Sequence, residues 1–505
     1  MTRPDDALTA ALARAVDAGR DDAVRLLQSL VRIPSVTGDE GAVQDAVARA
    51  FGDRGLAVDR WEFTAAEIAP YRLHVGDQAR IAGRPNVVGV RRGRGGGRSL
   101  LLNAHVDTVE NGDPAAWTHP PLAAEVVGDR LYGRGACDMK GGLVTHLAAL
   151  TALDALGIAL RGDVLVAATV GEEDGGVGAL STTLRGYRAD AALITEPTQL
   201  ALVPAQGGSL VFRLTIAGRA AHAAVRDEGV SAFEKFVPLF QDLQALERER
   251  NATLAHPLYA GIVNKVPINV GVVRTGAWAS TVPESLVAEG RIGLIPGEDL
   301  EAFQRLVAGR LMATAKRDPW LREHPPTLEW FGGQFAPAET PVDAPITRAV
   351  ARAHERVTGR PPAIEAVPYG ADMRLFILFG GMPCVMYGAG DVNHAHGPDE
   401  YLAIPELLTA TKTVANLLVE WCGVAGGEGG GGGREGLAAE AAPEDLRRTK
   451  PGLRRAGSWS GHAGGLRGGA GVFSRQAPLH PLSPFTPYSP APRYASIAAP
   501  VLMPR

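Results

Sequence analysis

Cysteine is scarce in this chain: 505 residues contain only Cys137, Cys384 and Cys422. Three thiols so far apart exclude a disulfide framework. Long apolar runs are missing too. None approaches eighteen residues, so no membrane-spanning helix is expected. The opening residues, MTRPDDALTAALARAVDAG, lack the apolar stretch of a signal peptide and carry acidic residues early. Net charge is small at −4, which gives no reason to expect nucleic acid or a membrane surface as partner. A cytoplasmic enzyme fits all of these absences.

Hydrophobic residues make up 46% and charged residues 21%, so most of the chain can bury a core. At 505 residues the chain exceeds the size of a single core, and two domains with an appendage are expected. In AVRLLQSLVRI, Val24, Leu27, Leu30 and Val31 share one helical face, and Pro34 ends the pattern. Further helices are expected near 40–51 and 140–156. Strands are expected at 86–90, 99–103, 163–170 and 189–195. This alternation points to an α/β sandwich over 1–207 with a mixed, mostly parallel sheet. From 208 to 334 the order becomes strand, long helix, two strands and helix, which suits a small inserted α+β domain of ferredoxin-like type. The α/β texture resumes over 335–423. Residues 424–505 hold a glycine run and a Pro/Ser/Ala-rich stretch, with ten Lys/Arg against five Asp/Glu. This tail is expected to be disordered, since it can bury too little apolar surface to offset ordering entropy. A binding motif around Trp459, Phe473 and Phe485 and an unselected extension are the other readings.

The chemistry-bearing residues fall at or just after strand ends. In LLLNAHVDT, His105 and Asp107 lie two apart and so share a face of an extended segment, where Asp107 can hold the far nitrogen of a metal-bound His105. A lone His-x-Asp pair is equally compatible with a structural role. LYGRGACDMKGG sets Asp138 among glycines, either as a helix N-cap or as a carboxylate able to bridge two cations. Glu172 and Glu173 follow an uncharged strand and point opposite ways, so one could bind metal while its neighbour holds a water; a solvated turn is the plain alternative. Glu196 precedes Pro197 after another apolar strand, and HAHGPDEY supplies His394 and His396. Jointly they give imidazole and carboxylate ligands where open α/β sheets place their sites. Such a set suits zinc, with cobalt or manganese as alternatives.

PSVTGDE, NAHVDTV, GRGACDMKGG, GEED, TEPT, GRAAHAAVRDEGVSA and HAHGPDEY occur in that order. In this the chain, from about Arg25 to Trp421, resembles the metallo-aminoacylase and carboxypeptidase family. That family includes acetylornithine deacetylase and succinyl-diaminopimelate desuccinylase. The resemblance implies two divalent metal ions: Asp138 bridging, Glu173 and His396 completing one site, His105 and Glu196 the other. It implies Glu172 as general base, a cis peptide after Asp138, and a small domain that serves as lid and dimerisation surface. His222 would reach the active site of the partner in a homodimer.

Some positions depart from the family's pattern. Ser280-Thr281-Val282-Pro283 stands where relatives often show Asn-Val-Val-Pro, and Gly293 where many carry an arginine; Arg291 lies two residues earlier on the same face. Arg374 in YGADMRLF could fork onto a substrate carboxylate or pair with Asp372. Gly388 and Gly390 would line a loop that substrate approaches closely, and His394 would be a supporting or incidental residue. The expectation is hydrolysis of a small N-acyl amino acid of the acetylornithine-deacetylase type. The rivals are a desuccinylase, a formylamino-pyrimidine deformylase, a dipeptidase, and a catalytically silent binding or scaffold relative.

Overall fold

The computed structural model describes residues 6–76 and 80–426. The expected tail, apart from Val424 to Gly426, lies outside the described residues. Strands of the first stretch are β1 (Ala57–Trp61), β2 (Asn86–Arg91), β3 (Leu100–His105), β4 (Glu125–Val127), β5 (Arg130–Tyr132), β6 (Val164–Thr169), β7 (Ala192–Ile194) and β8 (Leu202–Gln206). Then come β9 (Gly208–Ala217), β10 (Ile268–Thr275), β11 (Ser285–Leu294), β12 (Thr327–Phe335), β13 (Ala338–Glu339), β14 (Ile364–Val367), β15 (Cys384–Met386) and β16 (Tyr401–Ala403).

The main sheet runs β1-β2-β6-β3-β7-β15-β8-β13, with β14 also on β8. Its centre, β6-β3-β7-β15, is parallel, and antiparallel strands lie at the margins. Central β3 and β6 are buried at every position, as strands covered on both faces must be, which explains their near-continuous apolar sequence. One face carries helices Asp6–Ala18, Arg20–Val31, Gly141–Ala155, Pro345–Thr358 and Ile404–Cys422; the other carries Gly41–Gly52, Val177–Leu184 and Met373–Leu378. The result is the expected α/β/α sandwich. Helix Gly141–Ala155 is apolar all round because it is wedged between the sheet and outer helices.

Strands β9 to β12 form a second sheet, ordered β10-β11-β9-β12 and antiparallel throughout. Helices Ala232–Thr253 and Leu300–Ala315 fill the two crossings, giving the ferredoxin-like β-α-β-β-α-β arrangement. Burial alternates along β9 and β11. One face therefore packs Leu210, Phe212, Leu214 and Ile292 against Phe236, Leu239, Phe303 and Val307 in a separate core, while the other stays open. Ser231 and Asp299 cap the two helices by accepting from the Glu234 and Ala302 amides.

Elements not expected from sequence include helices Asp6–Ala18, Val177–Leu184 and Met373–Leu378, edge strand β1, strands β8 and β12, and the long closing helix Ile404–Cys422. The closing helix did carry start and stop signals, Pro405 at its beginning and Gly423 just past its end. Among the described residues no helix is long and apolar enough to cross a membrane.

Candidate metal centre

His105 is the last residue of β3, Glu172 and Glu173 follow β6, Glu196 follows β7, and His396 lies in the loop beyond β15. These are the adjacent parallel strands, so their carboxyl ends deliver all five side chains to one edge of the sheet. Asp138 arrives from below, in the loop just before helix Gly141–Ala155. Lys140 occupies the cap position of that helix and no side chain caps it, so Asp138 is not an N-cap. The Asp138–Met139 peptide is cis, as the resemblance implies.

Glu400 fixes this loop from beneath. It is 1% exposed, and one carboxylate oxygen accepts from the amides of Cys137 and Asp138 at 3.0 and 3.2 Å. Its other oxygen takes a 2.7 Å hydrogen bond from Arg134. The Asp138 carboxylate is then held between two imidazoles: Oδ1 lies 3.0 Å from His105 Nε2 and Oδ2 lies 3.4 Å from His396 Nε2. His396 Nε2 also sits 3.0 Å from Glu173 Oε1. Ligand atoms of His105, Asp138 and Glu173 all lie within 4.8 Å of one another.

Asp107 organises the other side. Nδ1 of His105 lies 3.0 Å from the Asp107 carbonyl and 3.5 Å from its carboxylate, so the backbone oxygen is the nearer partner. The Asp107 carboxylate receives the Thr37 hydroxyl at 2.9 Å and the amides of Glu172 and Glu173 at 3.2 Å each. One buried aspartate thus orients a histidine and the loop bearing both glutamates.

Electrostatics argue for cations here. Burial pushes the Glu172 carboxyl well above the usual range and, with Asp138, Asp372 and Glu173 adding to it, takes Glu196 up to about 8. Glu173 is raised by burial as well. Hydrogen bonds to Asp138 and Glu173 raise His396 to about 10. Burial opposes a charge on His105, yet its bonds to Asp107 and Asp138 outweigh that and raise it too. So many buried carboxylates around two imidazoles are costly to keep ionised unless protons or bound cations offset them. Divalent cations suit this mixed oxygen and imidazole set, so the donors fit the metal pair that the resemblance implies.

Other expected residues stand apart. His222 is exposed on the small domain, bridged to Thr281, with Nδ1 accepting from the Ala224 amide; it meets none of the cluster within its own chain. Arg291 donates to Ser209 at 2.6 Å and to the Pro368 carbonyl at 3.4 Å and pairs with no carboxylate among the described residues. Arg374 needs correcting as a substrate clamp. It is fully buried; its two NH2 groups donate to the carbonyls of Ala371, His74 and Gly175, and its buried Nε has no hydrogen-bond partner among the described residues. Gly388 and Gly390 also serve another purpose than expected. A Cβ at Gly388 would lie 2.4 Å from the Glu196 carbonyl, and one at Gly390 2.6 Å from Cys137 Sγ, so both let the ligand loops pack together. His394 accepts or donates at 3.0 Å with the Tyr401 hydroxyl. Thr37 and Glu400, which support the site, lie within the motifs PSVTGDE and HAHGPDEY, but no spacing in the sequence marks their roles.

A sandwich whose parallel strands converge on one buried and one half-exposed imidazole among buried carboxylates, beside a separate ferredoxin-like domain, defines a metal-dependent amide hydrolase. Residues 101–420 match peptidase family M20/M25/M40, and the chain belongs to that family. It is 30% identical over 433 residues to N-formyl-4-amino-5-aminomethyl-2-methylpyrimidine deformylase of Halalkalibacterium halodurans, covering 81% of this chain and 96% of the relative. Acetylornithine deacetylase of Myxococcus xanthus is 31% identical over 344 residues, covering 67% and 84%. Among solved structures, a tripeptidase from Staphylococcus aureus superposes with a TM-score of 0.62 at 21% identity, covering 80% and 98%.

Proposed function

We propose that the chain hydrolyses the acyl-amide bond of a small N-acyl amine, with Glu172 as general base. The observation that carries this is the Asp138 carboxylate held between His105 and His396 with Glu173 alongside. Asp138 would bridge two divalent ions, zinc first, with cobalt or manganese as alternatives. Glu173 and His396 would complete one position, His105 and Glu196 the other. When bound, such ions lower the pKa of a water and polarise the acyl oxygen.

The chain's own residues supply the rest. Asp107 fixes the His105 ring and, through the Glu172 and Glu173 amides, the base loop. Burial gives the Glu172 carboxylate a raised proton affinity. It can therefore take the proton of the attacking water and hand it to the leaving nitrogen. His222 of a partner copy would donate to the developing oxyanion, which is the argument for a homodimer, since within one chain His222 stays away from the cluster. Free, buried cysteines suit a reducing compartment, hence the cytoplasm.

For the substrate, the formylamino-pyrimidine class is favoured. Arg374 offers no exposed donor to a substrate carboxylate, and the deformylase relative is matched over 96% of its length. Arg291, which has no carboxylate partner among the described residues, supports the second reading, an N-acyl amino acid. A panel of formyl, acetyl and succinyl amides, with and without an α-carboxylate, assayed with zinc, cobalt and manganese, separates them. Fastest turnover of a carboxylate-free formamide supports the first reading; turnover confined to carboxylate-bearing amides rejects it. In the same panel Glu172→Gln is expected to lose about 10²–10⁴ in kcat with metal content unchanged.

A further inference from the structure

The loop Gly171–Gly176 carries Glu172 and Glu173, and its far end is gripped from two directions. Arg374 donates to the Gly175 carbonyl at 2.6 Å and to the His74 carbonyl at 3.2 Å, and its guanidinium lies 4.1 Å above the Phe335 ring. Phe335 ends β12, a strand of the small domain. Ahead of it the β12–β9 pairing breaks between Trp330 and Gln334, and this bulge lies against the same place. A Cβ at Gly76 would fall 1.6 Å from the Gly332 carbonyl, and one at Gly175 would fall 2.1 Å from the Val75 carbonyl. A Cβ at Gly333 would come within 3.4 Å of Asp174, and one at Gly370 within 2.5 Å of the Phe335 side chain. Three segments far apart in sequence therefore meet backbone to backbone, a fourth meets them through the Phe335 ring, and Arg374 is a buried charge with donors on two of them. Asp372 beside it offsets the charge, and the side chain is buried throughout, so none of its donors reaches the surface.

We propose that Arg374 is a positioning residue: without touching substrate, its guanidinium holds the Gly171–Gly176 loop, and so Glu172 and Glu173, against strand β12 of the small domain. The proposal rests on the reading of Glu172 as the base. It assigns Arg374 a part in kcat while leaving substrate affinity to other groups, because a loop displaced by about 1 Å can cost on the order of 10² in rate. A lysine can reach one of the two carbonyls but not both, since it lacks the planar fork.

The test compares Arg374→Met, Arg374→Lys and Phe335→Leu in the full-length, metal-loaded protein. For Arg374→Met, kcat is expected to fall about 10²-fold with KM nearly unchanged, equally for amides with and without a carboxylate. Arg374→Lys recovers part of that loss, and Phe335→Leu moves kcat in the same direction by less. Independently of turnover, hydrogen exchange on the metal-free protein is expected to show faster exchange of the 172–176 amides in Arg374→Met, with the β3 amides unchanged. A rise in KM confined to carboxylate-bearing amides, at constant kcat, overturns the proposal in favour of a substrate clamp. Unchanged kcat and unchanged loop exchange overturn it in favour of plain packing. Should Arg374→Met not fold, Phe335→Leu and Arg374→Lys carry the same comparison. Glu172→Gln runs alongside: if it keeps wild-type kcat, the base reading fails, while the exchange data still judge the grip of Arg374.

Discussion

Glu400→Gln is the perturbation whose consequence follows most directly from the geometry. The carboxylate is 1% exposed and serves three donors: the Cys137 and Asp138 amides on one oxygen and Arg134 on the other. Glutamine has one acceptor oxygen. Turned towards the two amides, it sets its own NH2 against the Arg134 guanidinium; turned towards Arg134, it leaves both amides facing a donor. Either way a buried arginine or the Asp138 loop loses its partner. Breaking a buried pair from one side costs about 3–5 kcal/mol, and glutamine's surviving bond places the loss near 3 kcal/mol. Because the damage falls on the two amides that set Asp138, part of it should appear as weaker metal binding. Supporting residues of this kind are worth about 10–100-fold in metal affinity, or roughly 1.4–2.7 kcal/mol. Competition against a chromogenic chelator measures the affinity, and a thermal melt of the metal-free protein measures the stability. A variant that binds zinc within about twofold of wild type would refute the claim that Glu400 sets the Asp138 carboxylate.

His222→Asn is expected to lower kcat by about 10²–10³ while leaving metal content and the melting temperature unchanged, since the histidine is exposed and lies apart from the cluster; an unchanged kcat removes it from the mechanism. His146 is fully buried and held down to about 3 by that burial, with Thr195 3.0 Å from Nε2. The folded state keeps it neutral while the unfolded imidazole takes a proton below about 6.5. Its contribution is therefore complete above that pH and lost as pH falls towards 3, at about 1.4 kcal/mol per unit. His146→Gln should flatten the acid limb of stability by that slope in urea melts of the metal-free protein, and parallel limbs would contradict it. Removing metal with a chelator should abolish turnover, and zinc, cobalt or manganese should restore it; activity surviving in metal-free protein would reject metal dependence.

The core of this architecture can be read from sequence because its signals are local. β3 and β6 announce themselves as near-continuous apolar runs, and the ionisable residues at or just beyond their ends are where chemistry is placed. His105, Glu172, Glu173 and Glu196 follow that rule, and His396 and Asp138 come with their glycine-flanked motifs. Glu400 and Thr37 were harder to see, because their work is to hold backbone amides and a neighbouring carboxylate, and nothing in a sequence marks which amide a carboxylate will meet. Arg374 stays open in the sequence between a substrate clamp and a structural role, because a guanidinium suits a substrate carboxylate and backbone carbonyls equally well; the packing of His74, Gly175 and Phe335 favours the structural role. Gly388 and Gly390 suggest a loop that substrate approaches closely, whereas the groups packed against them are the Glu196 carbonyl and Cys137. The edge strand β1 went unseen because its burial is confined to Trp61 at one end.

Anomalous scattering at the zinc edge from crystals grown with zinc tests the central claim most directly. Two peaks are expected, each within about 2.0–2.2 Å of an Asp138 oxygen, one also ligated by Glu173 and His396 and the other by His105 and Glu196. A map with no peak touching Asp138 in fully loaded, active protein would contradict the account.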